Sequence, residues 1–190
     1  MNGEKKRIRI LFIGNSHTFY NDLPALVRER AEEDGVEAEV VMIARGGWYL
    51  SQHVKEPETF FNVRCGGYDY AVLQEHSHPF DRIGEYRTAA KTLCGWIREA
   101  GGVPVIYATW AEKANEGAQE LMNRVNGEIA RENGALLAAV GASWWDRARK
   151  NPEKDLYGPD GAHASPEGSR FASEIIWRAI RKDLEPGITD

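Results

Sequence analysis

The stretch Ile8-Arg9-Ile10-Leu11-Phe12-Ile13-Gly14-Asn15-Ser16-His17-Thr18 decides the reading of this chain. Its first six residues are apolar except for Arg9, and they stop abruptly at Gly14-Asn15. A run this short and this apolar reads as a strand buried on both faces, the habit of parallel sheets. Where such a strand ends, the chain turns at the sheet's carboxyl edge and Ser16 presents its hydroxyl there. Far along the chain stands Asp160-Gly161-Ala162-His163, just ahead of a helix start at Ser165-Pro166-Glu167. A hydroxyl, an imidazole and a carboxylate are the parts that covalent acyl transfer needs: nucleophile, base and orienter.

Working outward, strand-like runs alternate with helical patterns. Residues 8–13, 39–43, 68–74 and 103–107 read as strands, with a weaker fifth near 135–139. Asn21 or Asp22 with Pro24 opens a helix that Gly35 stops, and further helices are expected over 86–100 and 112–132. Ser165 caps the last helix, whose Phe171, Ile175, Ile176, Ala179 and Ile180 share one stripe. This alternation predicts one α/β domain over residues 1–190. The expected architecture is a flavodoxin-like three-layer sandwich, with about five parallel strands in the order 2-1-3-4-5 and helices on both faces. Ligands bind such sheets beyond the strands' carboxyl ends, which gathers residues 14–18, 45–48 and 74–78 at one edge.

The 190 residues are 42% hydrophobic and 28% charged with a net charge of −5, the profile of an ordinary globular domain. No basic stripe exceeds Lys5-Lys6-Arg7, which argues against nucleic acid as a partner. Arg9 interrupts the apolar run, which is also too short for a signal peptide and lacks a small-residue cleavage site, so a cytoplasmic location is expected. No apolar stretch approaches the roughly 18 residues of a membrane span. Cys65 and Cys94 lie outside any metal spacing and are expected to be buried free thiols. The oligomeric state leaves no mark in the sequence.

Each candidate residue has a plain alternative. Ser16 has no evident capping duty, because the next helix carries its own cap signal further on. Pro159-Asp160-Gly161 is also a turn signature, and Asp160 needs no catalytic role to sit there. His163 falls in the approach loop to a helix and is the natural acceptor of a hydroxyl proton near neutral pH. Gly46 and Gly47 let a main-chain N–H approach a ligand, or simply make a turn. Gln74 can offer an amide donor to an oxyanion, or cap its strand. His76 and His78 with Glu75 and Asp81 have the composition of a zinc site but complete no recognised spacing, so no metal or other cofactor is expected. His17 and His53 read as packing or loop residues.

Together these residues resemble the SGNH (GDSL-like) hydrolase superfamily of esterases, lipases, thioesterases and carbohydrate O-deacetylases. Phe12-Ile13-Gly14-Asn15-Ser16-His17-Thr18 looks like its first block, Gly46 or Gly47 like the glycine of its second, and Asp160-Gly161-Ala162-His163 like its fifth. The resemblance implies a Ser16–His163–Asp160 triad and an oxyanion hole from the N–H groups of Ser16 and Gly46 or Gly47. The usual Gly-x-Asn-Asp of the third block is absent. Val72-Leu73-Gln74-Glu75-His76-Ser77 stands there instead, similar to a sialate O-acetylesterase-like branch in which Gln74 takes the donor role.

Trp48, Tyr49, Trp110, Trp144, Trp145 and Tyr157 fall near the same edge, where rings can stack on a sugar or roof the core. With the resemblance they imply a small ester, such as acetyl on a carbohydrate, as the substrate, with Trp48, Trp110 and Glu75 lining its site. A short-chain or lipid ester is the alternative within the same chemistry. A non-catalytic flavodoxin-like module holding a phosphate or flavin is the alternative outside it.

Overall fold

The computed structural model describes residues 6–185, so Lys5 of the basic cluster lies outside the described residues. Five strands, β1 (Arg7–Gly14), β2 (Glu37–Ala44), β3 (Tyr70–Leu73), β4 (Val103–Tyr107) and β5 (Leu136–Ala138), form one sheet in the order β2-β1-β3-β4-β5. Every pairing is parallel; Ile10 of β1, for example, lies against Val40 of β2 on one side and Tyr70 of β3 on the other. The chain runs from β1 outward to β2, then crosses to β3. The strand order therefore reverses at the carboxyl ends of β1 and β3, which opens a crevice there.

Alternation along β1 divides the core. Ile8, Ile10 and Phe12 pack on one face with Leu23, Val27 and Ala31 of α2 (Leu23–Glu33) and Ala172, Ile176 and Ile180 of α8 (Pro166–Leu184). Leu11 and Ile13 pack on the other with Ala90, Leu93 and Ile97 of α5 (Ile83–Glu99) and Val125 and Ile129 of α6 (Gln119–Glu132). Both sets are buried, so β1 is sandwiched as its apolar run requires.

Several local expectations are corrected. The helix expected from residue 112 begins at Gln119, because the preceding segment is tied elsewhere: Lys113 N donates to Gly161 O at 2.8 Å and Ala111 N to Gln119 Oε1 at 2.7 Å. Asp22 holds the cap position of α2 but makes no side-chain cap bond. Helices α4 (Pro57–Cys65) and α7 (Val140–Lys150) escaped the periodicity reading. Cys65 is exposed, whereas Cys94 is buried and its thiol is pushed up to about 11 by burial. No helix among the described residues is long and apolar enough to cross a membrane.

Candidate active site

The nucleophile turn follows directly from the end of β1. Gly14 is required there, since a Cβ would collide with the side chains of Thr18 and Gln74. Asn15 caps α1 (Ser16–Phe19), its Oδ1 accepting from His17 N at 3.1 Å, and its Nδ2 donates to Trp48 O at 2.9 Å. Gln74 Oε1 accepts from Asn15 N and from Thr18 Oγ1, each at 2.9 Å. His53, wholly buried on α3 (Leu50–His53), bonds Gly14 O through Nε2 at 2.8 Å, and Arg45 N donates to the same carbonyl at 3.2 Å. That carbonyl only accepts, so Nε2 carries the proton, and burial lowers the imidazole's affinity for a second one. Ser16, partly exposed, is thus the accessible residue on a turn anchored from three sides.

The second half of the site comes from the loop ahead of α8. An antiparallel bridge between Tyr157 and Ala164 closes its base, and Gly158 N donates to His163 O at 2.7 Å. Asp160 Oδ1 accepts from the main-chain N–H groups of Ala162 at 3.0 Å and His163 at 2.9 Å. Its Oδ2 lies 2.5 Å from His163 Nδ1, and His163 Nε2 lies 2.8 Å from Ser16 Oγ. The bond from His163, then the Ala162 N–H, hold the Asp160 carboxyl far below the usual carboxylate range. A hydroxyl, both nitrogens of one imidazole and a carboxylate therefore form one unbroken hydrogen-bonded chain across residues 147 apart in sequence.

Gly46 and Gly47 follow β2 in a turn closed by Trp48 N to Arg45 O at 3.1 Å, with Gly47 at φ +72 in the left-handed region. Among the described residues the N–H groups of Ser16, Gly46 and Gly47 donate to no protein acceptor. Asn15 links this turn to the nucleophile through the Trp48 carbonyl.

Three expected site residues lie elsewhere. Gln74 is fully buried, its amide oxygen accepting twice from the nucleophile turn and one Nε2 hydrogen given to Glu75 O, so it braces that turn from inside the protein. Its orientation is not ambiguous, because Asn15 N must meet an acceptor. Trp110 is wholly buried, stacked on Trp144 at 3.7 Å, and its Nε1 donates to Ala162 O at 2.8 Å; it supports the His163 loop from within. Glu75 is buried, accepting from Leu50 N at 3.2 Å and His76 N at 2.8 Å, and burial pushes its carboxyl up to about 7. Trp48 stays partly exposed beneath the Arg45 guanidinium, which lies 4.8 Å from its ring.

His17 does more than pack. Its buried ring lies 4.9 Å from that of His163 at 23°, and against His78 and Trp110 at 5.1 and 5.2 Å. Burial drives its affinity for a proton far down, and lowers that of His78 to about 4, so both stand uncharged beside His163 at neutral pH. Among the described residues no three His, Cys, Asp or Glu side chains are grouped to hold a metal ion. A groove of about 620 Å³ runs along the outer side of the loop, lined by Tyr20, Tyr157, Pro159, Asp160 and His163 among others.

A five-stranded parallel sheet in this order, with Ser16, His163 and Asp160 joined at its carboxyl edge, has the architecture of an SGNH-type hydrolase. A protein from Slackia heliotrinireducens assigned to the SGNH hydrolases matches at 31% identity and TM-score 0.77, over 92% of this chain and 100% of that one. The chain belongs to the SGNH hydrolase superfamily. A DUF4886 family protein from Bacteroides uniformis (19% identity, TM-score 0.75, 97% and 88% covered) shares the fold. So does a catalytic mutant of an acetylxylan esterase from Geobacillus stearothermophilus (16%, 0.72, 91% and 94%). No family model and no curated protein matches the sequence.

Proposed function

We propose that this protein is a serine esterase that removes a small acyl group, acetyl above all, from a carbohydrate hydroxyl. The observation that carries the chemistry is the continuous relay from Ser16 Oγ through His163 to Asp160. His163 Nε2 takes the Ser16 proton as Oγ attacks the ester carbonyl, and Asp160 steadies the imidazolium that results. The negative charge on the carbonyl oxygen is received by the N–H groups of Ser16 and of Gly46 or Gly47. Collapse expels the alcohol, which leaves with the proton from His163. Water, deprotonated by the same imidazole, then frees the acid and restores Ser16.

Carbohydrate is favoured by the acetylxylan esterases among the structural neighbours. An aromatic ring beside the site favours it too: Trp48, partly exposed, adjoins the glycine turn. A fluorophosphonate should label Ser16, and Ser16→Ala should lose labelling and on the order of 10⁴–10⁶ in kcat on p-nitrophenyl acetate. Unchanged hydrolysis by Ser16→Ala ends the esterase reading. A preference for butyryl and longer aryl esters over acetylated xylose or sialic acid ends the carbohydrate one.

A further inference from the structure

His17 covers one face of the His163 imidazole; the other face is covered by Tyr20, with centroids 4.0 Å apart and planes 10° from parallel. The next residue, Asn21, donates through Nδ2 to Ala164 O at 3.0 Å and to Ser169 Oγ at 2.9 Å. Two consecutive residues just past the nucleophile turn thus grip the distant loop at its imidazole and at the following carbonyl. The backbone is bent to allow this, since Asn21 and Asp22 both stand at φ +53. Successive left-handed residues bearing a Cβ are disfavoured and persist only where their surroundings impose them. Helix capping does not account for them, because Asp22 makes no cap bond.

We propose that Tyr20 and Asn21 form a clasp that positions His163 against Ser16, with the Tyr20 ring face also stabilising the imidazolium formed during acyl transfer. The inference rests on the esterase reading of Ser16. Both are positioning residues, acting through His163. A clasp has work to do here because the Asp160 side chain is 48% exposed, so water competes for the carboxylate that would otherwise orient the ring.

A cation over an aromatic face is attracted to it. Of the other groups facing His163, Asp160 is the anion on its own loop, and His17 from α1 and His78 from the β3–α5 loop are uncharged at neutral pH. His76 stands two residues earlier in that loop, and Lys113, whose Cβ faces Gly161, is paired with Asp155 at 2.5 Å.

The test compares Tyr20→Phe, Tyr20→Leu and Asn21→Gly with the parent protein. It measures kcat and KM on p-nitrophenyl acetate, kcat/KM against pH, and the His163 imidazole titration by NMR. Tyr20→Phe keeps the ring face and should match the parent. Tyr20→Leu keeps cover but loses the ring face. It should lower kcat about two- to fivefold with KM unchanged, and move the His163 titration and the acid limb to lower pH by about 0.3–0.7 unit. Asn21→Gly keeps the left-handed backbone and loses both hydrogen bonds, and should lower kcat about tenfold. Parental kcat and an unmoved His163 titration in Tyr20→Leu and Asn21→Gly overturn the clasp. A parent that hydrolyses no ester defeats the esterase reading instead, and the titration of Tyr20→Leu then decides the clasp by itself: a downward shift supports it and no shift overturns it.

Discussion

The two halves of the candidate site are built on opposite principles. The nucleophile turn grows out of the buried end of β1, and Asn15, Thr18 and Gln74 are each at most 1% exposed. The loop carrying Asp160 and His163 lies on the surface, with those side chains 48% and 23% exposed. The first half inherits its geometry from the core, where close packing and satisfied hydrogen bonds leave one arrangement. The second is held by discrete contacts: the Trp110 bond to Ala162, the bridge to Tyr157, and the clasp from Tyr20 and Asn21. Damage to the first half should therefore appear as lost stability, and damage to the second as lost rate.

The largest effect expected in the surface half is that of Asp160→Asn. The substituted amide can still accept from the Ala162 and His163 N–H groups, so the loop should fold as before. With its oxygen kept there, its nitrogen faces His163 Nδ1 as a donor, which imposes the wrong tautomer and removes the charge that steadies the imidazolium. A buried triad aspartate replaced in this way costs about 10⁴ in kcat. With solvent at this carboxylate, a loss nearer 10² is expected, with Tm unchanged. The carboxyl's depressed pKa keeps it ionised down to strongly acid pH, so the acid limb of the parent's rate profile should not come from Asp160. A loss under fivefold would show that the clasp, and not the carboxylate, sets the imidazole.

Gln74→Met breaks the buried half. It leaves the Asn15 N–H and the Thr18 hydroxyl without their acceptor in a site closed to water. Two such groups cost about 3 kcal/mol together, or roughly 6–12 °C in Tm for a chain of this size. If the second Gln74 amide hydrogen also served an oxyanion, the variant would lose about 10² in kcat besides. Thermal melts beside kcat values separate the two roles, and a preserved Tm would refute the brace.

That contrast also marks how far residues alone could be read. The strand order and the meeting of three loops at one edge were legible, because continuous apolar runs separated by helical patterns admit few parallel topologies. The type of residue at each loop was legible too. What a polar side chain does once there was not, because direction depends on contacts across the sheet. Gln74 ends a strand, and nothing in its neighbours says that the Asn15 N–H will approach from below. Trp110 follows β4 as an exposed sugar platform would, yet α7 brings Trp144 over it. Asn21 and Asp22 carry a helix-cap signature, but their left-handed backbone sends the Asn21 amide to a loop far away in sequence. In each case a long-range partner overrode a local preference.

The smallest effect concerns Glu75, which ties α3 to the loop after β3 by accepting from Leu50 and His76. Burial is the main cause that raises its carboxyl from the ordinary 4.5 to about 7. The sign follows from proton binding. Between about pH 4.5 and 7 the folded chain holds a proton at Glu75 that the unfolded chain has released, so folding is favoured most at low pH. That contribution is whole below pH 4.5 and is lost as pH rises through 7. It amounts to roughly 2–3 kcal/mol. Glu75→Gln has nothing to titrate and gives up one of the two acceptors. It should be less stable than the parent at pH 5, by about 1 kcal/mol, and more stable than it at pH 8, by about 1–2 kcal/mol. Urea melts of both proteins at the two pH values measure the difference. A gap that is constant with pH would mean that Glu75 is ionised in the folded state, and that the junction of α3 with the loop after β3 carries a buried charge.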